Sequence, residues 1–394
     1  MYFWSYGGQF VAQSLIPPLN ELSQAFDYYR SDPDFLQEVE RYRRHFVWRP
    51  TPITYLSNIS NHLWWAKIYL KREDMTNVWA HKINHALIQW LIAKKMGKTE
   101  LIAETWAGMH GTSTAMMWAQ LWLTVRVFMG AEDIARQMPN VQRMRILWAE
   151  VMSVDEWSRT LKDAVNAAMK YWISNIETSA YVLWSALWPH PYPSIVRQSQ
   201  EIVGRECLTQ FPAIAQKEFP DYIMACVWGG CNSIGIFAPY LQHSHVALIG
   251  VEAGWRGIGN LGDHATRFGG WWASCGIFHG YKSYFLQDDE WWIAPTHSIS
   301  AGLDYPWVWP EHSHLHDTWR VHYVSATDTE VMDAVLMTAR MEGILPALES
   351  AHALAHAYKL APTLSSDQTI LINLSWRWDK DMHTILEWIE NTST

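Results

Sequence analysis

Residues 221–235 read DYIMACVWGGCNSIG. An apolar, β-like run gives way to a glycine pair at 229–230, and a helix-like segment opens directly after it. Strand, glycine loop and helix in this order form the unit of parallel sheets, because the helix returns the chain across the sheet to start the next strand. The same alternation recurs on both sides. Short apolar runs (AKIYL, LIAE, TVRVFM, EVMSV, SAYVL, HVALIGV, TILINLS) are separated by amphipathic segments such as HKINHALIQWLIAKKMG, NVQRMRILWAE and SRTLKDAVNAAMKYWISN. The pattern predicts an α/β protein with two open, mostly parallel sheets flanked by helices. A long helix, YPSIVRQSQEIVGREC, is expected to end near residue 204 and to mark a domain boundary.

Composition narrows the function. The 394 residues are 49% hydrophobic and 18% charged, a globular balance. The formal charge is −9, from 30 basic and 39 acidic residues, and no Lys/Arg cluster stands out. That argues against nucleic acid or an anionic membrane surface as the main partner. Cys207, Cys226, Cys231 and Cys275 lack paired spacing, so neither a disulfide framework nor a zinc site is suggested. The N-terminal MYFWSYGGQFVAQSLIPPL has no basic leader, and it reads as part of the fold of a cytoplasmic protein. No apolar run is long enough to span a bilayer.

Ligands of open α/β sheets sit beyond the carboxyl ends of strands. The loops after AKIYLKRED, LIAE, DYIMACV and TILINLS therefore deserve the search. In AHKIN, Lys82 follows His81 at a helix start; it is either a solvated lysine or one that forms a Schiff base with an aldehyde cofactor. Trp228, Gly229, Gly230, Cys231 and Asn232 form either an ordinary turn or a phosphate-binding nest at a helix N-terminus. Ser375 and Glu104 each end a strand, where a cap and a solvated carboxylate are the plain alternatives. In EHSHLHD, His312, His314 and His316 alternate as metal ligands might, but the segment reads as a polar loop.

Taken together, the order of blocks is specific. FWSYGGQFV, RPTPITYL, YLKRED, AHKIN, MGKTELIAET, AGMHG, SRTLKDA, PHPYPSIVR, GGCN, GVEAG, PTHSISAGLDYP, PEHSHL, EGILPALESAHA, INLS and DKD run almost end to end. The chain resembles the tryptophan synthase β-chain family, fold-type II pyridoxal-phosphate enzymes. The resemblance implies an N-terminal α/β domain over 48–204 with a mobile subdomain at about 97–184. It implies a C-terminal α/β domain from 1–47 and 205–394, with the cofactor between the two. Lys82, Glu104 and Asp304 would be catalytic. His81, Lys82, Trp228, Gly229, Gly230, Cys231, Asn232, Glu349 and Ser375 would hold pyridoxal 5′-phosphate. Thr105, Trp106, Ala107, Gly108, Met109 and His110 would bind the substrate carboxylate. Carbonyls around Trp228, Tyr305 and Trp307 would bind a monovalent cation, K+ or Na+. The implied reaction joins L-serine and indole, with an α subunit as partner and a β homodimer inside an α2β2 complex. Cys231 stands where relatives usually carry Ser, and Met109 where they carry Gln. Serine dehydration or threonine synthesis is the competing enzymatic reading.

One feature of the sequence breaks this pattern. There are 26 tryptophans and 21 glycines. Trp48, Trp64, Trp65, Trp79, Trp106, Trp148, Trp184, Trp188, Trp228, Trp309, Trp376 and Trp378 fall where the family pattern and turn chemistry call for glycine. They have no helical or strand period, so they do not read as core aromatics, whereas Trp172 reads as a true helical tryptophan. The expectation is that many of these codons are UGA read as glycine. If the tryptophans are literal, the expected alternative is an inactive scaffold that binds an α-like subunit.

Overall fold

A computed structural model of the chain describes residues 2–156, 159–185, 187–268 and 273–392, without the side chains of 118, 119 and 121. Ser158 of the SRTLKDA block, Trp157, Trp271 and Trp272 lie outside these residues.

Six strands form the largest sheet, in the spatial order Val321–Thr327, Ala247–Trp255, Tyr222–Cys226, Thr369–Leu374, Lys67–Arg72 and Ile53–Tyr55. The first five are parallel; the edge strand Ile53–Tyr55 is antiparallel. Every residue of Thr369–Leu374 is buried, as a parallel sheet covered on both faces requires. A second, wholly parallel sheet runs Glu150–Val154, Thr124–Gly130, Glu100–Glu104, Ser179–Tyr181. A third, antiparallel sheet joins Tyr2–Phe3 and Tyr6–Gly7 to Tyr281–Leu286 and Ala273–Phe278.

The helix Lys82–Lys95 is the hub. Each residue from Lys82 to Ala93 is buried, so it behaves as a core helix without a solvent face. Asn84 and Gln89 on it are hydrogen-bonded, Gln89 to the Leu183 carbonyl at 2.9 Å. Asn84 accepts from Arg49 at 2.8 Å and donates to Glu73 at 3.0 Å and Gln200 at 3.1 Å. Arg49 also pairs with Glu73 and Glu206, and Lys71 pairs with Glu206, in a buried network. Removing one member would strand a buried charge at a cost of about 3–5 kcal/mol. The network fixes where the helix begins, and hence where Lys82 points.

The structure differs from the sequence reading in four places. Residues 53–72 give two strands to the six-stranded sheet, whose other strands come from 222–374. Sequence order alone had grouped them with the residues that follow. The expected long helix is two helices, Tyr192–Gln200 and Ile202–Ala215, so it runs past 204. EHSHLHD is not a polar loop. Pro310 opens a helix, Pro310–Asp317, and His312 inside it is fully buried. The tryptophans are not all outside the core: Trp90, Trp106, Trp172, Trp184, Trp188, Trp228, Trp307, Trp309 and Trp376 are buried.

The backbone at many tryptophans, the buried Trp188 among them, is unusual. Among the described residues, thirteen that are not glycine have positive φ, and ten of them are Trp4, Trp48, Trp64, Trp79, Trp122, Trp148, Trp188, Trp255, Trp291 and Trp319. The left-handed region costs an L-residue roughly 1–2 kcal/mol. Among the described residues no helix is long and apolar enough to cross a membrane.

Candidate active site

The carboxyl ends of both parallel sheets face one region, where the expected residues converge. Lys82 opens its helix, 2% exposed, and its Nζ donates to the Trp184 carbonyl at 2.7 Å. Burial lowers its affinity for a proton, while the nearby Cys231, Cys226 and Glu349 oppose that shift. A buried lysine depressed in this way offers a free amine nearer neutral pH than a surface lysine does.

The glycine loop follows the strand Tyr222–Cys226 and ends in the helix Cys231–Phe237. Gly230 has φ +98°, and a Cβ there would lie 2.2 Å from the His312 ring. Only glycine permits this turn. His312 supports it from beneath: Nε2 lies 3.0 Å from both the Gly230 carbonyl and Ser233 Oγ, and Nδ1 lies 2.6 Å from Tyr323 Oη. His81 lies alongside, with Nε2 3.1 Å from Cys231 Sγ and Nδ1 3.2 Å from the Ser375 carbonyl. Burial pushes the Cys231 thiol up, but the positive fields of Lys82 and His81 win and bring it to about 6. Asn232 donates to the Cys226 carbonyl at 2.9 Å, and its Oδ1 is buried without a partner.

Ser375 lies at the end of the strand Thr369–Leu374, its Oγ 3.1 Å from Ser350 Oγ. Glu349 accepts from Gly302 N at 3.0 Å and pairs with the buried Lys380 at 2.8 Å. Glu104 ends the strand Glu100–Glu104 and is fully buried, so the solvated role does not apply. Burial raises its carboxyl to about 8, against weaker pulls from Tyr181 and Trp184. After it, Thr105 Oγ1 accepts from Gly108 N at 3.1 Å, the Ala107 carbonyl accepts from Asn140 at 2.7 Å, and the helix Met109–Leu121 begins. His110 is held 2.8 Å from the Val182 carbonyl, and burial lowers it to about 3. Asp304 lies across the site in the loop after Ala301–Leu303; burial raises it to about 6.

Two of the three carbonyls expected to bind a monovalent cation, those of Trp228 and Tyr305, are engaged otherwise. Arg267 donates to the carbonyls of Trp228 and Tyr305, both at 3.0 Å. Sequence reasoning missed Arg267, His312 and Lys380. Arg267 lies in none of the quoted blocks, nothing in PEHSHL or DKD marks His312 or Lys380 as buried, and burial of a polar side chain becomes visible only once the fold is known.

The donors suit pyridoxal phosphate: a buried amine, a glycine nest at a helix N-terminus, an orphaned amide oxygen and a hydroxyl at the far end. The space does not suit it with tryptophan in place. Trp106, Trp184 and Trp228 pack together with ring centroids 4.2–4.8 Å apart, and Trp376 stacks on His81. The cavity left between Lys82, the glycine loop, Glu349 and Ser375 is about 20 Å³.

The family description of pyridoxal-phosphate-dependent enzymes matches residues 46–375. The tryptophan synthase β chain of Methylibium petroleiphilum is 49% identical over 386 residues, covering 98% of this chain and 93% of that one. The β chain of Bordetella parapertussis is 48% identical, covering 98% and 96%. The crystal structure of a fungal L-serine ammonia-lyase from Rhizomucor miehei superposes with a TM-score of 0.66 at 16% identity, covering 86% of this chain and 97% of that one, a likeness of fold alone. With the site assembled at the carboxyl ends of two parallel sheets, these matches establish that the chain belongs to the tryptophan synthase β-chain family of pyridoxal-phosphate-dependent enzymes.

Proposed function

We propose that the chain condenses L-serine with indole to give L-tryptophan and water. It would act as a β homodimer with α subunits in an α2β2 assembly in the cytoplasm. The observation that carries this reading is that Lys82, buried and depressed, and Glu104, buried and raised to about 8, both lie against Trp184. Two groups whose environments push them toward neutrality from opposite sides suit a reaction that both takes and gives protons. Pyridoxal phosphate, when bound, would supply an aldehyde for the lysine amine and an electron sink for the pair left at Cα when its proton departs. Lys82 then moves the proton at serine Cα. Glu104, protonated at neutral pH, gives its proton to the departing serine hydroxyl, and as a carboxylate accepts the proton that indole sheds. The N–H groups of Trp106, Ala107, Met109 and His110, at the start of the thirteen-residue helix Met109–Leu121, bind the substrate carboxylate, while those of Thr105 and Gly108 hold the loop itself through the Phe128 carbonyl and Thr105 Oγ1. Ser375 offers the ring nitrogen a neutral hydroxyl. Residues of about 97–184, which carry their own sheet, would close over the site, with Asp304 ordering it on closure.

The same reading takes the codons of the glycine-like tryptophans as UGA specifying glycine. Two independent features support it. At the site, four indoles occupy the space that the cofactor needs. Away from it, ten tryptophans stand at positive φ. Costs of about 1 kcal/mol or more at each would approach the entire stability of a typical domain, about 5–15 kcal/mol. The literal chain, with its 20 Å³ cavity, instead favours the reading of an inactive scaffold.

Replacing Lys82 with Ala should abolish turnover of serine and indole and remove the borohydride-fixed cofactor. A fixed cofactor on another lysine would contradict the assignment. In the coding DNA, positions 64, 148, 228 and 376 should read TGA and position 172 TGG; TGG throughout would refute the recoding.

A further inference from the structure

Arg267 lies in a segment that no motif singles out, and it is 1% exposed. Both terminal nitrogens of its guanidinium are engaged by the main chain. Nη1 donates to the carbonyls of Ala265 at 2.7 Å and Tyr305 at 3.0 Å, and Nη2 to those of Val227 at 2.9 Å and Trp228 at 3.0 Å. Nε pairs with Glu252 at 2.9 Å, and both charges are fully buried. Glu252 is itself fixed, accepting from the N–H groups of Arg267 at 3.0 Å and Phe268 at 2.9 Å. Tyr323, Tyr281, His264 and His312 are the other titratable groups within its field.

This is the geometry of a cation site whose cation is part of the chain. Four carbonyl oxygens from three separate segments turn toward one point, an arrangement that leaves their dipoles mutually repulsive unless a positive charge sits among them. Two of those segments matter for the reaction. Val227 and Trp228 lead into the glycine loop, and Tyr305 follows Asp304. One guanidinium therefore ties the phosphate end of the site to the loop that carries Asp304. A coordinated K+ or Na+ on the Trp228 and Tyr305 carbonyls would have to occupy the volume that Arg267 already fills.

We infer that Arg267 is a built-in replacement for a monovalent cation, a positioning residue that makes the enzyme independent of K+ and Na+. Burial pulls the guanidinium down and Glu252 holds it up; arginine keeps its charge in such a setting where an ammonium would not. The carbonyls concerned belong to the main chain, so the inference does not depend on whether residue 228 is tryptophan or glycine. Its activity arm rests on the proposed reaction, while its stability arm does not.

The test compares the folded protein in buffers whose only monovalent cation is tetramethylammonium, K+ or Na+. The native chain should keep its rate to within about twofold across all three, because no site for the ion is open. Arg267→Ala should lose tenfold or more in tetramethylammonium through misplacement of the glycine and Asp304 loops, and K+ or millimolar guanidinium should restore much of it saturably. A thermal melt of the cofactor-free protein gives the second readout: the variant's midpoint should rise saturably with K+ or guanidinium but not with tetramethylammonium, and the native midpoint should respond to none selectively. If Arg267→Ala does not fold, the native chain decides alone. Saturable activation or stabilisation of the native protein by K+ or Na+ would overturn the inference, and so would a soluble Arg267→Ala protein with the native rate and no cation response.

Discussion

Trp64 and Trp172 carry the same side chain in opposite settings. Trp172 lies within the helix Leu161–Ser174, 5% exposed, its ring 5.5 Å from that of Tyr181. Trp64 caps the short helix Ser57–Leu63 with φ +67°, and 83% of it is exposed. At the first position the side chain is packed and the backbone is ordinary. At the second the side chain touches little and the backbone is one that glycine adopts without cost. The difference shows that side-chain packing on an ordinary backbone marks a tryptophan the fold uses, and an exposed indole on a positive-φ backbone one it only tolerates. The site supplies a third class: Trp106 and Trp228 have ordinary φ, but fill space that a ligand requires.

Substitution with glycine should separate these classes by sign. Trp172→Gly removes a buried indole and adds helix-interior glycine, and should destabilise by about 3–5 kcal/mol in denaturant unfolding. A change below about 1 kcal/mol there would mean that burial at Trp172 is not useful packing either. Glu104 tests the site on its own terms. Glu104→Gln should leave cofactor binding intact and slow serine turnover by about a hundredfold or more. The native rate should also fall as pH rises through about 8, where the buried carboxyl loses the proton it donates. Its raised value carries the matching stability effect. Between its unfolded value and about 8 the folded state holds the extra proton, so stability declines as pH rises across that window. A rate still rising past pH 9 would remove Glu104 from the donor role. The smallest effect is Trp64→Gly, which should stabilise by about 1 kcal/mol through relief at positive φ. Destabilisation there would break the comparison at its base.

How much of this was legible in the sequence depended on whether the determinant was local. Lys82, Glu104 and the glycine loop sit at strand ends next to the patterns that announce them, and the structure brings them to one region. The hairpin of the third sheet was also local, although the sequence reading passed it over. Phe278 and Tyr281 pair across His279–Gly280, both at positive φ, a two-residue turn that an XG dipeptide between apolar runs signals. His312 and Arg267 were not legible. Alternating histidines suggest a loop or metal ligands, whereas His312 is buried because Pro310 starts a helix beneath the glycine loop. Arg267 acquires its meaning only when residues 227, 228 and 305 meet around it. The strands in 53–72 were legible as strands but not as members of the six-stranded sheet, because parallel pairing does not follow chain order.

The central claim is that the site is a pyridoxal-phosphate site for joining serine and indole once glycine stands at its crowded positions. The most direct measurement is made on two purified proteins, the literal chain and one with glycine at Trp106, Trp184, Trp228 and Trp376 and at the ten positive-φ tryptophans. Each is titrated with pyridoxal phosphate and assayed for tryptophan from serine and indole. The account predicts saturable, one-per-chain cofactor binding and tryptophan formation in the glycine protein, and neither in the literal one. Cofactor binding and turnover in the literal chain, or a folded glycine protein that binds the cofactor yet forms no tryptophan, would contradict it.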